Sequence, residues 1–542
     1  SVESRWMSTG VSRATDDHEL AVWVMLKVAT GGLAEREANE VAINPVGDPS
    51  FLSNVTTAMP APWRRKDSRK ACEGLRASEY VITSSLSQTS PGLFPWSRYD
   101  GDAMIRLEDL RGVALTAHNA HGFVPRVTLG RAEVDSTVVE LMAEVTKEGS
   151  LALKRHALEF DGVEVADLRV SAAALKGALS GLDKDVKAAL QESIRRVRAA
   201  SEDAVPRSTT TTYNAGGSVT TRYVPVDRAG VYVPGGKAVY PSSVVMNVVA
   251  AQAAGVPDIV VVSPAQQEFG GLPHPTILAA AELLGVTEVY AMGGASAIAA
   301  LAWGVPDMGL EAVSVISGPG NRYVAAAKRQ VTGQVGIDSE AGPTEIGIVA
   351  DETAHPEFVA ADLVSQAEHD ELASAVLMTT SMELATRVQQ ALTRQVSQTH
   401  HAERVTAALG GEQSAILVVD TLDQAVDLAN ALATEHLEIM VENPDDILRS
   451  IRHAGAIFVG DYSPVSAGDY LAGSNHVLPT AGGAKFTSGL SPLTFLRSQQ
   501  VVEYDKAALG AIADSIVALA RAENLPAHGD AVTTRFLEAG EL

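Results

Sequence analysis

The dipeptide Glu435-His436 places a carboxylate beside an imidazole, two side chains that take and return protons near neutral pH. Adjacent residues on a helix do not share a face, so the pair reads as a general-base pair only with support from elsewhere. In Ser365-Gln366-Ala367-Glu368-His369-Asp370, at the end of a predicted helix, Gln366 and His369 stand three residues apart and project from one face. An amide oxygen and an imidazole presented together can ligate a divalent cation, although singly such residues are more often solvated surface groups. Asp469 lies in the turn Ser466-Ala467-Gly468-Asp469-Tyr470, and Ser474-Asn475-His476 follows shortly. Near the end of the chain, Glu523 and His528 follow an amphipathic helix that Pro526 stops.

These side chains need elements to hold them, and the sequence outlines those elements. Three glycine loops, Tyr232-Val233-Pro234-Gly235-Gly236, Gly293-Gly294-Ala295-Ser296 and Gly318-Pro319-Gly320-Asn321, each follow an apolar strand-like run and precede a helix. Backbone N–H groups in such loops can receive a phosphate. None is the G-x-G-x-x-G fingerprint, and each taken alone is more often a plain turn. Residues 133–155 and 172–200 carry apolar residues at helical spacing. Short β-branched runs then alternate with Ala-rich helical stretches: strands at 231–233, 259–262 and 288–291, helices at 241–254, 275–284 and 296–303, and the same alternation from 346 to 419. This alternation predicts an α/β protein with parallel sheets covered by helices, and ligands at the carboxyl ends of the strands.

Composition narrows the functions available. A chain of 542 residues with net charge -24 repels phosphate polyanions, which argues against nucleic-acid and anionic-membrane partners. A single cysteine, Cys72, excludes a disulfide framework, a thiolate zinc site and an iron–sulfur cluster, so any metal must be held by His, Asp, Glu or Gln. The early apolar run from Leu20 to Thr30 is too short to span a bilayer and contains Lys27. No secretory pattern opens the chain, so a cytoplasmic location is expected. Residues 1–103 differ from the remainder: they hold four of the five tryptophans and the one cysteine but little net charge. They are expected to form a largely disordered appendage, with 83–97 as linker, the basic run Arg64–Lys70 as a solvated loop, and Met104 as the natural start of translation.

In order along the chain, YVPGGKAVYPSSVVMN, SGPGNRYVAAAKR, GIDSEAGPTEI, DLVSQAEHD, EHLEI, GDYLAGSNHVLPT and ENLPAH closely resemble the histidinol dehydrogenase family, a likeness that covers roughly 104–542. The resemblance implies two incomplete Rossmann-like domains with small flanking domains in an intertwined homodimer. The expected boundaries are 1–103 for the appendage and 104–126 for a flanking segment. The first Rossmann-like domain would take 127–231 and 346–490, the second 232–345, and a tail packing across the dimer 491–542. It further implies one zinc per subunit on Gln366, His369, Asp469 and a partner-donated His528, and NAD contacts at Tyr232, Ser296 and Asn321. Substrate contacts would fall at Thr344, Gln366, His369, His436, Asp469, Glu523 and His528, with Glu435 and His436 as the catalytic pair. The implied reaction is oxidation of L-histidinol through bound L-histidinaldehyde to L-histidine, with two NAD+ reduced. Two positions depart from the family pattern: Ser296 stands where Gln is common, shortening the reach toward NAD, and Thr344 stands where Ser is common. Two other readings stay open. One is a relative acting on a sulfonated diol, which would want added Lys or Arg where Asp469 and Glu523 stand. The other is a metal- and nucleotide-binding protein without catalysis, which would not need Glu435 and His436 together.

Overall fold

A computed structural model describes residues 104–126, 131–213, 216–235, 239–340 and 342–537; the expectations for 1–103 lie outside the described residues. Two parallel sheets dominate. The first has six strands, β1 (Leu107–Asp109), β9 (Glu345–Ala350), β10 (Ser374–Thr379), β11 (Ala415–Val418), β12 (His436–Met440) and β13 (Ala456–Val459), in the order β1-β11-β10-β9-β12-β13. Its inner strands, EIGIVA, SAVLMT, AILV and HLEIM, are nearly continuous apolar runs, as sheets covered on both faces require. Pairing sets His436 of β12 between Ile346 of β9 and Ala456 of β13.

The second sheet has five parallel strands in the order β6-β5-β4-β7-β8: β4 (Arg228–Tyr232), β5 (Asp258–Ser263), β6 (Glu288–Ala291), β7 (Val315–Ser317) and β8 (Gly336–Ile337). The helices Pro241–Ala254, Pro275–Leu283 and Gly294–Trp303 that link these strands are rich in alanine and valine and mostly buried. A third, antiparallel sheet joins β2 (Thr209–Thr212), β3 (Ser218–Pro225) and β14 (Leu496–Glu503), with β14 paired to β3 along eight residues.

Three boundary expectations are corrected. Segment 127–231 does not belong with the first sheet: the helices Arg131–Glu148 and Ser150–Phe160 share a core with Val260, Val262, Tyr290 and Ile298 of the second. Residues 104–126 do not pack apart from the body, because β1 is an edge strand of the first sheet, hydrogen-bonded parallel to β11. The tail from 491 is not wholly free for a partner, because β14 is consumed by β3 of its own chain. Among the described residues no helix is long and apolar enough to cross a membrane.

Candidate active site

Glu435 and His436 lie where the helix Leu422–Leu432 gives way to β12. Ala433, in the left-handed region at φ 48°, ends the helix and turns the chain into extended backbone. Glu435 and His436 therefore do not sit on a helix, where they would diverge; Glu435 Oε2 is 3.6 Å from His436 Nδ1. Gly455 lies so close beneath that a Cβ there would meet the Glu435 carbonyl oxygen at 2.5 Å. This site is at the amino ends of β9 and β12, not the carboxyl ends anticipated from the sequence. The helix Pro356–Ala367 explains the difference: it returns the chain from the carboxyl end of β9 to the amino edge of the sheet, and delivers Gln366 and His369 there.

Hydrogen bonds tie these groups together. Gln366 donates through Nε2 to the Thr344 hydroxyl, which donates to Glu435 Oε2, and the Glu345 N–H donates to the same oxygen at 3.1 Å. Gln366 Oε1 is thereby left buried with no partner. His369 Nδ1 lies 3.1 Å from the Ser365 carbonyl oxygen, which assigns the proton to Nδ1 and leaves Nε2 a lone pair. His436 Nδ1 meets the Glu345 carbonyl oxygen at 3.2 Å. Its Nε2 is buried without a partner, 4.0 Å from Asp469 Oδ1. His369 and Asp469 line the cleft and Gln366 stands behind Thr344; an imidazole nitrogen, a carboxylate and an amide oxygen are donor types that suit a divalent metal. Among the described residues, no group of three or more His, Cys, Asp or Glu side chains forms a metal cage by itself.

Burial governs the protonation of the pair. It pushes the Glu435 carboxyl up to about 8, and the Asp469 charge adds to that against the opposing bonds from Thr344 and Glu345. Burial also lowers His436, which keeps its imidazole neutral at pH 7. Two neighbours escaped the sequence reading. Glu345 is pushed up to about 7 by burial and by the Glu435 charge. His476 is buried, with Nδ1 3.0 Å from the Asp469 carbonyl oxygen and Nε2 3.1 Å from Ser243 Oγ. The only sequence signal for His476 was its place shortly after Asp469, and Glu345 lay hidden in an apolar strand.

Opposite this wall stand the three glycine loops, at the carboxyl ends of β4, β6 and β7. Tyr232 is buried and its hydroxyl accepts a bond from the Gly294 N–H at 3.2 Å, with burial pushing the phenol up to about 12. Asn321 caps the helix Arg322–Val331, its Oδ1 accepting from the Tyr323 and Val324 N–H groups. Gly318, at φ 119°, lies against Tyr232 so tightly that a Cβ would meet the Tyr232 carbonyl oxygen at 2.0 Å. The Ser296 hydroxyl is engaged by His156 Nδ1 at 2.7 Å, and His156 Nε2 by Glu144 at 2.9 Å. The two walls enclose a cleft of about 1760 Å³ lined by Tyr232, Ser296, Asn321, Thr344, His369, Glu435, His436 and Asp469. Pockets for one small ligand measure about 300–1,000 Å³, so this one has room for more than one. Glu523 and His528 do not join it; both are exposed on the tail.

A neutral imidazole and a protonatable carboxyl, buried across a large cleft from glycine loops at strand ends, define an α/β enzyme of the oxidoreductase type. The histidinol dehydrogenase family model matches residues 125–536. The chain is 58% identical over 417 residues to histidinol dehydrogenase of Thermobifida fusca, covering 76% of this chain and 95% of that protein. It is 56% identical over 434 residues to that of Mycobacterium tuberculosis strain H37Rv, covering 79% and 97%. The solved histidinol dehydrogenase of Elizabethkingia anophelis superposes with a TM-score of 0.76 at 30% identity, covering 81% of this chain and 99% of that one. The chain belongs to the histidinol dehydrogenase family.

Proposed function

We propose that the chain oxidises L-histidinol to L-histidine by way of bound L-histidinaldehyde, the last step of histidine biosynthesis, with NAD+ as hydride acceptor. One observation carries this reading: His436, whose buried Nε2 has no hydrogen-bond partner, lines the cleft with Glu435, Asp469 and the donor His369, while Gln366 stands behind Thr344 and Glu435. The donor set fits one zinc ion per subunit, which Gln366 Oε1, His369 Nε2, Asp469 and the partner subunit's His528 would hold. Zinc bound there supplies chelation of the substrate's amine and imidazole, and so orientation. NAD, cradled by Tyr232, Asn321 and the glycine loops, supplies the place for the departing hydride.

The chain's own residues perform the proton work. His436 Nε2 takes the hydroxyl proton as the carbinol carbon gives up its hydride, and Nδ1 stays anchored to the Glu345 carbonyl. Glu435 takes a proton from the water that adds to the aldehyde, while Thr344 and the Glu345 N–H steady its carboxylate. As the water adds, protonated His436 returns its proton to the aldehyde oxygen, and the neutral imidazole then serves again as base for the second hydride loss. Burial of the pair keeps the reactive aldehyde from bulk water.

The shared site rests on the tail. The helix Lys506–Ala522 is mainly apolar, yet only Ala508 and Ala520 on it are buried, and Leu519 is 64% exposed. An apolar face this open in one chain suits a homodimer in which each tail, carrying Glu523 and His528, crosses to the other subunit's cleft. The test is NADH absorbance at 340 nm on mixing chain, histidinol and NAD+ (about 340 nm being the nicotinamide band), before and after chelator treatment. Formation of NADH that needs histidinol and returns with added zinc supports the proposal; no NADH with metal-replete protein would overturn it.

A further inference from the structure

Asp362 and Glu438 are among the carboxyl groups in the motifs DLVSQAEHD and EHLEI that have no part in the chemistry above. Glu438 is the third residue of β12 and is enclosed between Ile348 of β9 and Phe458 of β13. It is 1% exposed. Its Oε1 accepts a hydrogen bond of 3.0 Å from the N–H of Val465, the first residue of the helix Val465–Tyr470 that carries Asp469. Its Oε2 is also buried, and no N–H or hydroxyl donor reaches it. A second carboxyl, that of Asp362 on the helix Pro356–Ala367 one turn before Gln366, lies beside the Glu438 carboxyl.

Glu438 is buried and Asp362 half-buried, and two carboxylates side by side there cannot both be ionised. One proton resolves the conflict, because it turns one carboxyl into a donor and satisfies the orphaned oxygen. We propose that Glu438 and Asp362 share one proton, and that this bond is a positioning device. It sets the helix bearing Gln366 and His369, and the helix bearing Asp469, against the strand that opens with His436. The inference rests on the reading of Gln366, His369 and Asp469 as one metal site.

The electrostatics agree. Burial, with the Asp362 charge second, pushes Glu438 up to about 9, and burial pushes Asp362 up to about 6. Other titratable groups on the elements packed around Glu438 are engaged elsewhere. Glu345 of β9 faces Glu435, Glu357 pairs with Arg394, and Asp469 faces His436. His355 stacks on Phe358 at the start of its helix, and Tyr470 responds to Asp469 and Glu368. For carboxyls raised in the folded state, stability is fully present below the unfolded pKa and is lost as pH rises toward the folded one.

The full chain, stripped of metal, is melted between pH 5 and pH 9 as wild type, Glu438→Gln and Asp362→Asn. Each amide keeps a donor between the two groups without a proton to lose. Both variants are expected to match wild type near pH 5 and to melt progressively higher relative to it, by about 3 °C or more, as pH approaches 9. A gap that does not change with pH overturns the shared proton. Positioning is read from zinc binding to the same proteins and to Glu438→Leu: at least about tenfold weaker zinc in the leucine variant, with near wild-type affinity restored by glutamine. A leucine variant that binds zinc like wild type overturns the positioning role. Should that variant not fold, a glutamine variant with zinc affinity weakened as much as tenfold overturns it instead. Failure of wild-type chain to bind zinc overturns the metal-site reading itself, which the metal-free melting curves do not depend on.

Discussion

Glu435 and His436 hold opposite protonation states at pH 7, the carboxyl protonated and the imidazole neutral, because burial acts on each against its charged form. The two oxidations should therefore respond differently to mutation and to pH. His436→Asn removes the base from both and should depress both by about 10²–10⁴. Glu435→Gln should slow mainly histidinal oxidation, by a similar factor, and leave the alcohol step closer to wild type. Since the carboxylate form activates water, wild-type histidinal oxidation should rise with pH through about 8, and Glu435→Gln should lose that rise. Stopped-flow traces with each substrate check this; a glutamine variant impaired on histidinol yet intact on histidinal would reverse the assigned roles. Much at this scale was legible in the chain. The three-residue spacing of Gln366 and His369 pointed to a shared face, and adjacency drew attention to Glu435-His436 without deciding its role. What could not be read was the tertiary placement of Glu345 and His476. Both gain their meaning from contacts with residues far along the chain, and neither spacing nor periodicity records such contacts.

The glycine loop after β7 depends on an element-level brace. Lys328, buried on the helix Arg322–Val331, pairs with the buried Asp338 just beyond β8 and donates to the Gly318 carbonyl at 3.1 Å. Asp338 in turn accepts from the Gly318 N–H at 2.8 Å. Removing one member strands the other charge away from water, so Lys328→Met should cost about 3–5 kcal/mol of stability. It should also raise KM for NAD+ more than it lowers kcat, since the loop carrying Asn321 loosens while His436 is untouched. Calorimetry and a kcat-against-KM comparison check both, and unchanged melting would refute the brace. Periodicity located most elements but blurred their ends. The helical run 133–155 is two helices parted by Gly149 in a left-handed conformation at φ 58°, and 172–200 is two helices parted where Asp183 caps the second. The antiparallel ribbon was not anticipated. Its Thr- and Val-rich strands and Gly216-Gly217 turn were a local signal for β2 and β3, but β14 joins from a distant part of the sequence.

At the scale of the molecule, the parallel α/β architecture followed from strand–helix alternation, while the allotment of segments to sheets did not. Amphipathic helices such as Arg131–Glu148 show an apolar face but not which sheet will cover it. The exposed apolar tail leads to a prediction about assembly. If His528 serves the partner's cleft, refolded mixtures of inactive His528→Asn and inactive His436→Asn chains should recover activity. Each heterodimer then holds one intact site, giving roughly half of wild-type activity per heterodimer. If His528 serves its own chain, every site carries a lesion and none returns. The central claim, that one buried pair conducts a four-electron oxidation within a closed site, is tested most directly by stoichiometry. With limiting histidinol and excess NAD+, NADH and histidine are quantified together with a trap for free aldehyde. Two NADH for each histidine formed, with no aldehyde trapped, is the predicted result; one NADH per histidinol with aldehyde released would contradict it.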